Sequence, residues 1–296
     1  MCDLRKKSNE RPVIGTCCLS TSPEFFAATK SAGLDFVFID TEHVALPRDK
    51  LSWMCRAYAA AEIAPIVRVP EPEPFRVCEY IDGGALGIVA PYVESIEQVL
   101  SLVGAVKLRP LKGDLLARCL HILSEPRAKS GVVNDPASLY SLLEGELGSD
   151  RCSYLQKKNA SLQLFINIES TPALHNLEHL LSVPGLDGVF IGPADLSVSL
   201  GVPRQWHVQG FHDAVSLIIK ETRKRGLSVG CHYSFERAVE YQKKWVQEGA
   251  NLIIHASDVS LYTRALTDDV RQLSEALSAP DGKRTADGRN DADVDV

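Results

Sequence analysis

The chain predicts a single (β/α)8 TIM barrel, and three observations carry that prediction. Short apolar runs recur eight times along the 296 residues, separated by helical patterning and, once, by a long excursion. The runs are continuously apolar rather than alternating, as parallel strands covered on both faces must be. The polar residues His43, Arg68, Glu169, Asp195 and Asp258 fall at or just beyond the carboxyl ends of runs, with no comparable cluster at the amino ends. Barrel enzymes carry their chemistry at that end.

Residues 1–11 are polar and are expected to be flexible, so the barrel domain is placed at 12–278. Val13 to Cys18 is the first strand, and Pro23 to Ala32 a helix closed by Gly33, a good residue just past a helix end. Asp35 to Asp40 is the second strand and leads into Thr41, Glu42 and His43; a helix over 47–61 and a strand over 65–70 follow. The next helix runs to Ile81, ahead of Asp82, Gly83 and Gly84, and the fourth strand covers 87–91. After a helix over 94–103, the excursion from Lys107 to about Lys158 shows helices but no strand. Strand 162–168, a helix from Pro172, strand 187–192, helix 210–225 and strand 227–231 restore the rhythm. Helix 235–248, ended by Gly249, strand 251–255 and a last helix over 259–277 complete the barrel. That last helix carries an apolar stripe, Val259, Leu261, Leu266, Val270, Leu273 and Leu277, which needs cover from its own barrel or a neighbour's. Residues 279–296 are rich in Asp, Gly and Ala, bury nothing, and are expected to be disordered.

Composition narrows the partners. A chain that is 45% hydrophobic can fill a large core, while a net charge of -6 and a pI near 5.8 argue against nucleic acid. No apolar run approaches the roughly 18 residues of a membrane span, and the first residues lack a secretory core. Eight cysteines without a CxxC pair read as reduced, buried thiols, so a cytoplasmic location is expected.

The organising residues are two acids. Glu169 ends the run Phe165–Ile168, and Asp195 follows Gly188–Ile191. Either alone could merely complement a helix dipole or cap a helix. Together, at neighbouring strand ends, they form a hard oxygen site suited to Mg²⁺ or Mn²⁺. Arg68 lies among Ile66, Val67, Val69 and Pro70, so its stem is buried and its guanidinium needs an anion. That anion is either an internal acid or an oxygen of the substrate. His43 suits proton transfer. Asp82 either caps a helix or partners His43. Lys112 reads as a solvated loop charge. None of the strands carries a lysine, Lys107 being the nearest miss, so a Schiff-base mechanism is not expected and carbanion stabilisation falls to a metal.

Gly33–His43, Val67–Pro70, Gly87–Val93, Ile168–Ser170 and Gly185–Ser197 together resemble the HpcH/HpaI aldolase family, metal-dependent class II aldolases of 2-keto acids. The resemblance spans about Pro12 to Leu277. It implies a barrel of the phosphoenolpyruvate/pyruvate type and reversible cleavage of a 4-hydroxy-2-keto acid to pyruvate and an aldehyde, through an enolate. By that match Glu169 and Asp195 hold Mg²⁺, Mn²⁺ or Co²⁺, and Arg68 polarises the 2-keto oxygen. Asn167, Pro193 and Ala194 line the substrate, and His43 transfers protons with help from Asp82 of a neighbouring subunit. It also implies a homo-oligomer, a dimer or a hexamer, with the last helix exchanged between protomers. Two stretches depart from the family: Asn167 stands where a glutamine is usual, and Arg109–Gly113 shortens the usual Pro-Pro-x-Gly-x-Arg-Gly loop. Two other readings stay open, an acyl-CoA lyase of the citrate-lyase β type and a non-catalytic binding barrel. The first needs basic residues at the barrel mouth, for which Lys107, Arg109 and Lys112 are the candidates.

Overall fold

In the computed structural model, which describes residues 4–125, 136–233 and 238–278, eight parallel strands close a barrel in strict sequence order. The strands are β1 (Val13–Cys18), β2 (Phe36–Asp40), β3 (Ala64–Arg68), β4 (Gly87–Ala90), β5 (Gln163–Ile168), β6 (Gly188–Ile191), β7 (Ser228–Tyr233) and β8 (Leu252–Ser257). The predicted (β/α)8 fold is therefore the observed one, each strand lying within about two residues of its expected bounds. The excursion after β4 and α5 (Ile96–Lys107) is helical as expected: α6 (Gly113–Ser124), α7 (Pro136–Leu147) and α8 (Ser149–Asn159).

Strand parity sorts the core into two layers. Inward residues such as Phe36 and Phe38 of β2, Ile66 of β3, Val89 of β4, Phe165 of β5 and Phe190 of β6 fill the barrel lumen. Their outward neighbours, among them Val37, Ile39, Val67, Ile88, Leu164, Ile166 and Val189, pack beneath the helices α2 (Pro23–Ser31), α3 (Arg48–Ala60), α4 (Pro74–Gly83), α5 and α12 (Gln209–Lys224). Both faces are buried, which is why the runs show no alternation. In the lumen Phe190 packs edge to face on both Phe165 and Phe38, at 5.3 and 5.9 Å between centroids.

Within the stretch 1–11, expected to be flexible, residues 4–10 take a regular form. Leu4–Glu10 forms a helix, α1, whose Leu4 is buried in the lumen cluster. Its polar residues are tied down: Arg5 pairs with Asp187 at 2.6 Å, Lys7 approaches Asp35 at 3.4 Å, and Arg11 forks onto the same Asp35 at 2.7 and 2.8 Å. Lys107, the last residue of α5, is buried beside them, its Nζ 2.7 Å from Asp187 and donating to the Leu162 carbonyl. Asp187 and Leu162 precede β6 and β5, so this lysine serves the amino end of the barrel and is no candidate for a Schiff base.

The chain divides into two units, residues 1–259 and 260–296. The barrel is the first. The second contains the remainder of helix α14 (Asp258–Ser278), along which Leu266, Val270, Leu273 and Leu277 follow at three- and four-residue spacing. The expected disordered tail, 279–296, lies outside the described residues. Asp258, called polar and terminal from sequence, is a structural cap: its carboxylate accepts from the backbone N–H groups of Leu19, Ser20 and Val259.

Candidate active site

The residues at the carboxyl mouth inherit the parity of the lumen. Two residues beyond Phe38 the inward position of β2 is Asp40; two beyond Ile66 on β3 it is Arg68; and β5 continues Phe165, Asn167, Glu169. Asp40 stands directly opposite Arg68 in register. Arg68 donates from Nε and Nη2 to the two Asp40 oxygens at 2.9 and 2.6 Å, and its Nη1 lies 3.1 Å from Glu42 Oε2. The guanidinium sits 5.4 Å from the Phe38 ring centroid. Burial works against the Asp40 charge, but the Arg68 fork and its positive charge hold the carboxyl below its ordinary range. The anion Arg68 required is thus supplied within the chain, by two acids.

Glu169 is buried, 6% exposed, and its oxygens are separately held. Tyr92 N–H donates to Oε1 at 2.8 Å and Asn167 Nδ2 to Oε2 at 2.8 Å. Tyr92 makes its bond from a left-handed backbone, φ +56°, uncommon for a non-glycine residue. Its phenol, hydrogen-bonded to Glu42, is pushed up to about 12. Gly192 gives Glu169 its room, since a Cβ there would lie 2.6 Å from Oε2. Burial raises the Glu169 pKa, the charges of Glu42 and Asp195 add to the rise, and the two hydrogen bonds oppose it.

Asp195 is exposed in the first turn of α11 (Pro193–Ser199), where Gly192 takes the cap position. The sequence offered Asp195 as a helix cap; the structure puts it three residues inside. A cavity of about 580 Å³ opens at this mouth and is lined by Asp40, His43, Arg68, Asn167, Pro193, Ala194 and Asp195, with Arg204, Trp206 and His232. His43 is exposed, its Nε2 3.9 Å from Glu42. Of the sequence candidates, then, all but Asp82 meet at this mouth, Glu169 standing against Gly192 at its edge. Asp82 lies near the end of α4, ahead of the amino end of β4, paired with Arg109. No role for it follows within one chain. Asn167 was expected to contact substrate and is here occupied in holding Glu169.

Asp40, Glu42, Tyr92, Arg204 and His232 were not found from sequence. The first two share a signal that was available: they flank the strand end next to the arginine that needed an acid.

The donor set fits a divalent cation. Among the described residues no group of three or more His, Cys, Asp or Glu could cage a metal by itself. Glu169 and Asp195 are the two carboxylates that would hold such an ion, and hard carboxylate oxygens suit Mg²⁺. A buried carboxylate raised by burial and by two further anions is an environment that a cation would relieve.

The chain is 30% identical over 288 residues to a 2-keto-3-deoxy-L-rhamnonate aldolase of Salmonella typhi, covering 95% of each chain. It is 29% identical over 272 residues to the protein of that name from Klebsiella pneumoniae, covering 91% and 92%. Among solved structures, the citrate synthase SbnG superposes with a TM-score of 0.74 at 25% identity, covering 94% of this chain and all of that one. An HpcH/HpaI aldolase from Desulfitobacterium hafniense DCB-2 gives 0.73 at 23% identity over 95% and 98%, a likeness of fold. The family model for HpcH/HpaI aldolase/citrate lyase matches residues 14–265, the barrel whose mouth gathers these acids and Arg68. The chain belongs to the HpcH/HpaI aldolase/citrate lyase family and is a carbon–carbon lyase.

Proposed function

We propose that this protein is a divalent-metal-dependent aldolase that reversibly cleaves a 4-hydroxy-2-keto acid to pyruvate and an aldehyde. The observation that carries the reading is the Glu169–Asp195 pair at the same barrel mouth as the buried Arg68. Mg²⁺, Mn²⁺ or Co²⁺ held there supplies polarisation of the 2-keto oxygen. Arg68 has five N–H donors, of which three face Asp40 and Glu42, so two remain for a keto-acid oxygen. The two acids also fix the guanidinium plane, so no reorganisation is needed as negative charge develops. His43, exposed at the rim, takes the proton of the 4-hydroxyl as the C3–C4 bond breaks and returns one to C3 of the enolate. Pro193 and Ala194 wall the keto-acid side. Asp82 reaches His43 only from a second protomer, which joins the apolar stripe of α14 in favouring a homo-oligomer, dimer or hexamer. Light scattering that found a stable, active 32.4 kDa monomer would end that part of the proposal. The free cysteines suit a cytoplasmic setting.

The acyl-CoA reading loses two of its three candidate bases from the mouth, Lys107 being buried at the opposite end and Arg109 engaged with Asp82 there, although Arg204 is exposed on the cavity rim. Chelation tests the proposal. EDTA should abolish pyruvate–aldehyde condensation, and Mg²⁺ or Mn²⁺ should restore it. Glu169→Gln and Asp195→Asn should each lose the restoration while keeping native circular dichroism. Full activity after thorough chelation overturns it.

A further inference from the structure

A second cavity, of about 430 Å³, lies at the amino end of the barrel, bounded by α1, α7, α8 and the starts of β5 and β6. That volume is in the range of small-molecule sites. The packed lumen separates it from the mouth: Leu4, which lines it, is buried in one cluster with Phe36, Phe165 and Phe190. A ligand held here is therefore not the substrate of the carboxyl end.

Two cations line this cavity, Arg5 and Lys107, against one acid, Asp187. Asp187 already answers three donors. Its Oδ1 lies 2.6 Å from Arg5 Nη2, and its Oδ2 accepts from Lys107 Nζ and from the Leu164 N–H, each at 2.7 Å. The cations are less fully used. The Lys107 ammonium has three N–H groups and gives one to Asp187 and one to the Leu162 carbonyl, so the third has no partner among the described residues. The Lys107 side chain is only 7% exposed, which leaves that donor little access to water. Arg5, at the rim and 27% exposed, meets Asp187 through one nitrogen of its fork. Burial presses the Lys107 ammonium towards its neutral form, Asp187 opposes this and Arg5 adds to it. A second anion beside Lys107 would favour the charged form.

The remaining lining selects among anions. Leu4, Leu139, Leu162 and the Tyr140 ring give apolar walls, the Tyr140 hydroxyl being spent on the Lys107 carbonyl at 2.9 Å. One surplus positive charge among such walls suits a monoanion with a hydrocarbon body better than a doubly charged phosphate. We propose that this cavity is a second ligand site that binds a small organic monocarboxylate, its carboxylate on Lys107 and Arg5 and its hydrocarbon body against Leu139 and Leu162. The ligand is placed to act as an effector. Gln163 opens β5 and Asp187 immediately precedes β6, and these strands run on to Glu169 and Asp195 at the other end. The site stands whether or not the aldolase reading does.

Two measurements test it, neither needing turnover. Calorimetry on the full chain, without substrate or metal, compares 4-phenylbutanoate with 4-phenylbutanamide, hexanoate with hexanamide, and inorganic phosphate. At least one carboxylate should bind saturably and about 10-fold more tightly than its amide, the order of a charge-assisted hydrogen bond. Arg5→Gln should remove most of that preference and Arg5→Lys should keep most of it. No saturable binding by either carboxylate, amides that bind as well, phosphate that binds more tightly than both, or a preference unchanged in Arg5→Gln overturns the proposal. Because Arg5 also anchors α1, the second measurement uses the native protein alone. Hexanoate carrying a diazirine, photolysed on the protein and mapped by peptide mass spectrometry, should label residues within 139–163, and excess 4-phenylbutanoate should suppress that label. Label confined to residues 192–206 at the mouth, or label that excess carboxylate leaves unchanged, overturns the proposal.

Discussion

An alanine at position 192 would place its Cβ 2.6 Å from Glu169 Oε2 and 2.8 Å from Glu169 Cβ, so the carboxylate must move. Nothing else about Gly192 demands glycine, its φ of -84° being ordinary. Gly192→Ala should therefore fold normally and lose about 100-fold in kcat, the order expected when a catalytic group is misplaced by about 1 Å. Steady-state kinetics beside circular dichroism will check this, and a kcat within twofold of native would show that the Glu169 position is not critical. At this scale the sequence was legible where a residue's chemistry clashed with its surroundings. Glu169 and Arg68 stood in apolar runs and so announced themselves. Asp40 was hidden because it closes its strand and looked like a boundary, although inward parity places it opposite Arg68. Tyr92 and Arg204 were illegible for another reason. Their left-handed backbones go with hydrogen bonds that composition does not show, to Glu169, 77 residues away, for one and to the buried Ser197, 7 residues back, for the other.

The strands and most helices were legible because burial on both faces and helix periodicity write themselves into composition. Among the features that escaped, two are instructive. Helix α1 has seven residues and one aliphatic, Leu4, too little for either propensity or amphipathicity to show, and it is held by Asp35 and Asp187 instead. The other is an irregularity in β8. Gly15 and Cys17 of β1 pair with Ile254 and Ser257, so β8 holds one extra residue there, with Ala256 at φ +54°. The Ala256 carbonyl accepts from the ring of His232 on β7, whose buried Nε2 has no partner among the described residues. Burial, with Arg68 adding to it, lowers the His232 pKa to about 4; Asp40 and the Ala256 bond oppose, and His43 adds slightly to the lowering. The folded state thus takes up this proton later than the unfolded chain, whose histidine titrates near 6.5. Stability tied to His232 is intact above pH 6.5 and falls as the pH drops towards about 4, by about 3 kcal/mol over the whole interval. Urea unfolding of His232→Phe from pH 7 to 4.5 should show a shallower decline than the native protein. Parallel declines would remove His232 from the account of acid sensitivity.

Across the molecule the two ends of the barrel hold different kinds of charge. At the amino end Arg5, Lys7, Arg11 and Lys107 are matched to Asp35 and Asp187 and line no part of the cavity at the mouth. At the carboxyl end, among the described residues, the acids outnumber the bases and the Arg204 guanidinium has no acidic partner. The first arrangement anchors helix α1; the second leaves charge for ligands. Sequence position alone distinguishes these ends only once the strand directions are known, which is why Lys107 and Arg109 were first weighed as mouth residues.

Leu4 on α1, buried with Phe36, Phe165 and the other lumen residues, has a kinetic corollary. With the floor packed, a keto-acid half bound near Arg68 as proposed would share the carboxyl mouth with an aldehyde half lying outside it. The outer fragment must depart before the inner one can. Cleavage should therefore release aldehyde first and pyruvate second, so that pyruvate inhibits competitively against the intact substrate while the aldehyde inhibits in a mixed pattern. Initial rates with each product added in turn will show the order, and aldehyde competing purely with the substrate would mean that the inner fragment has another way out.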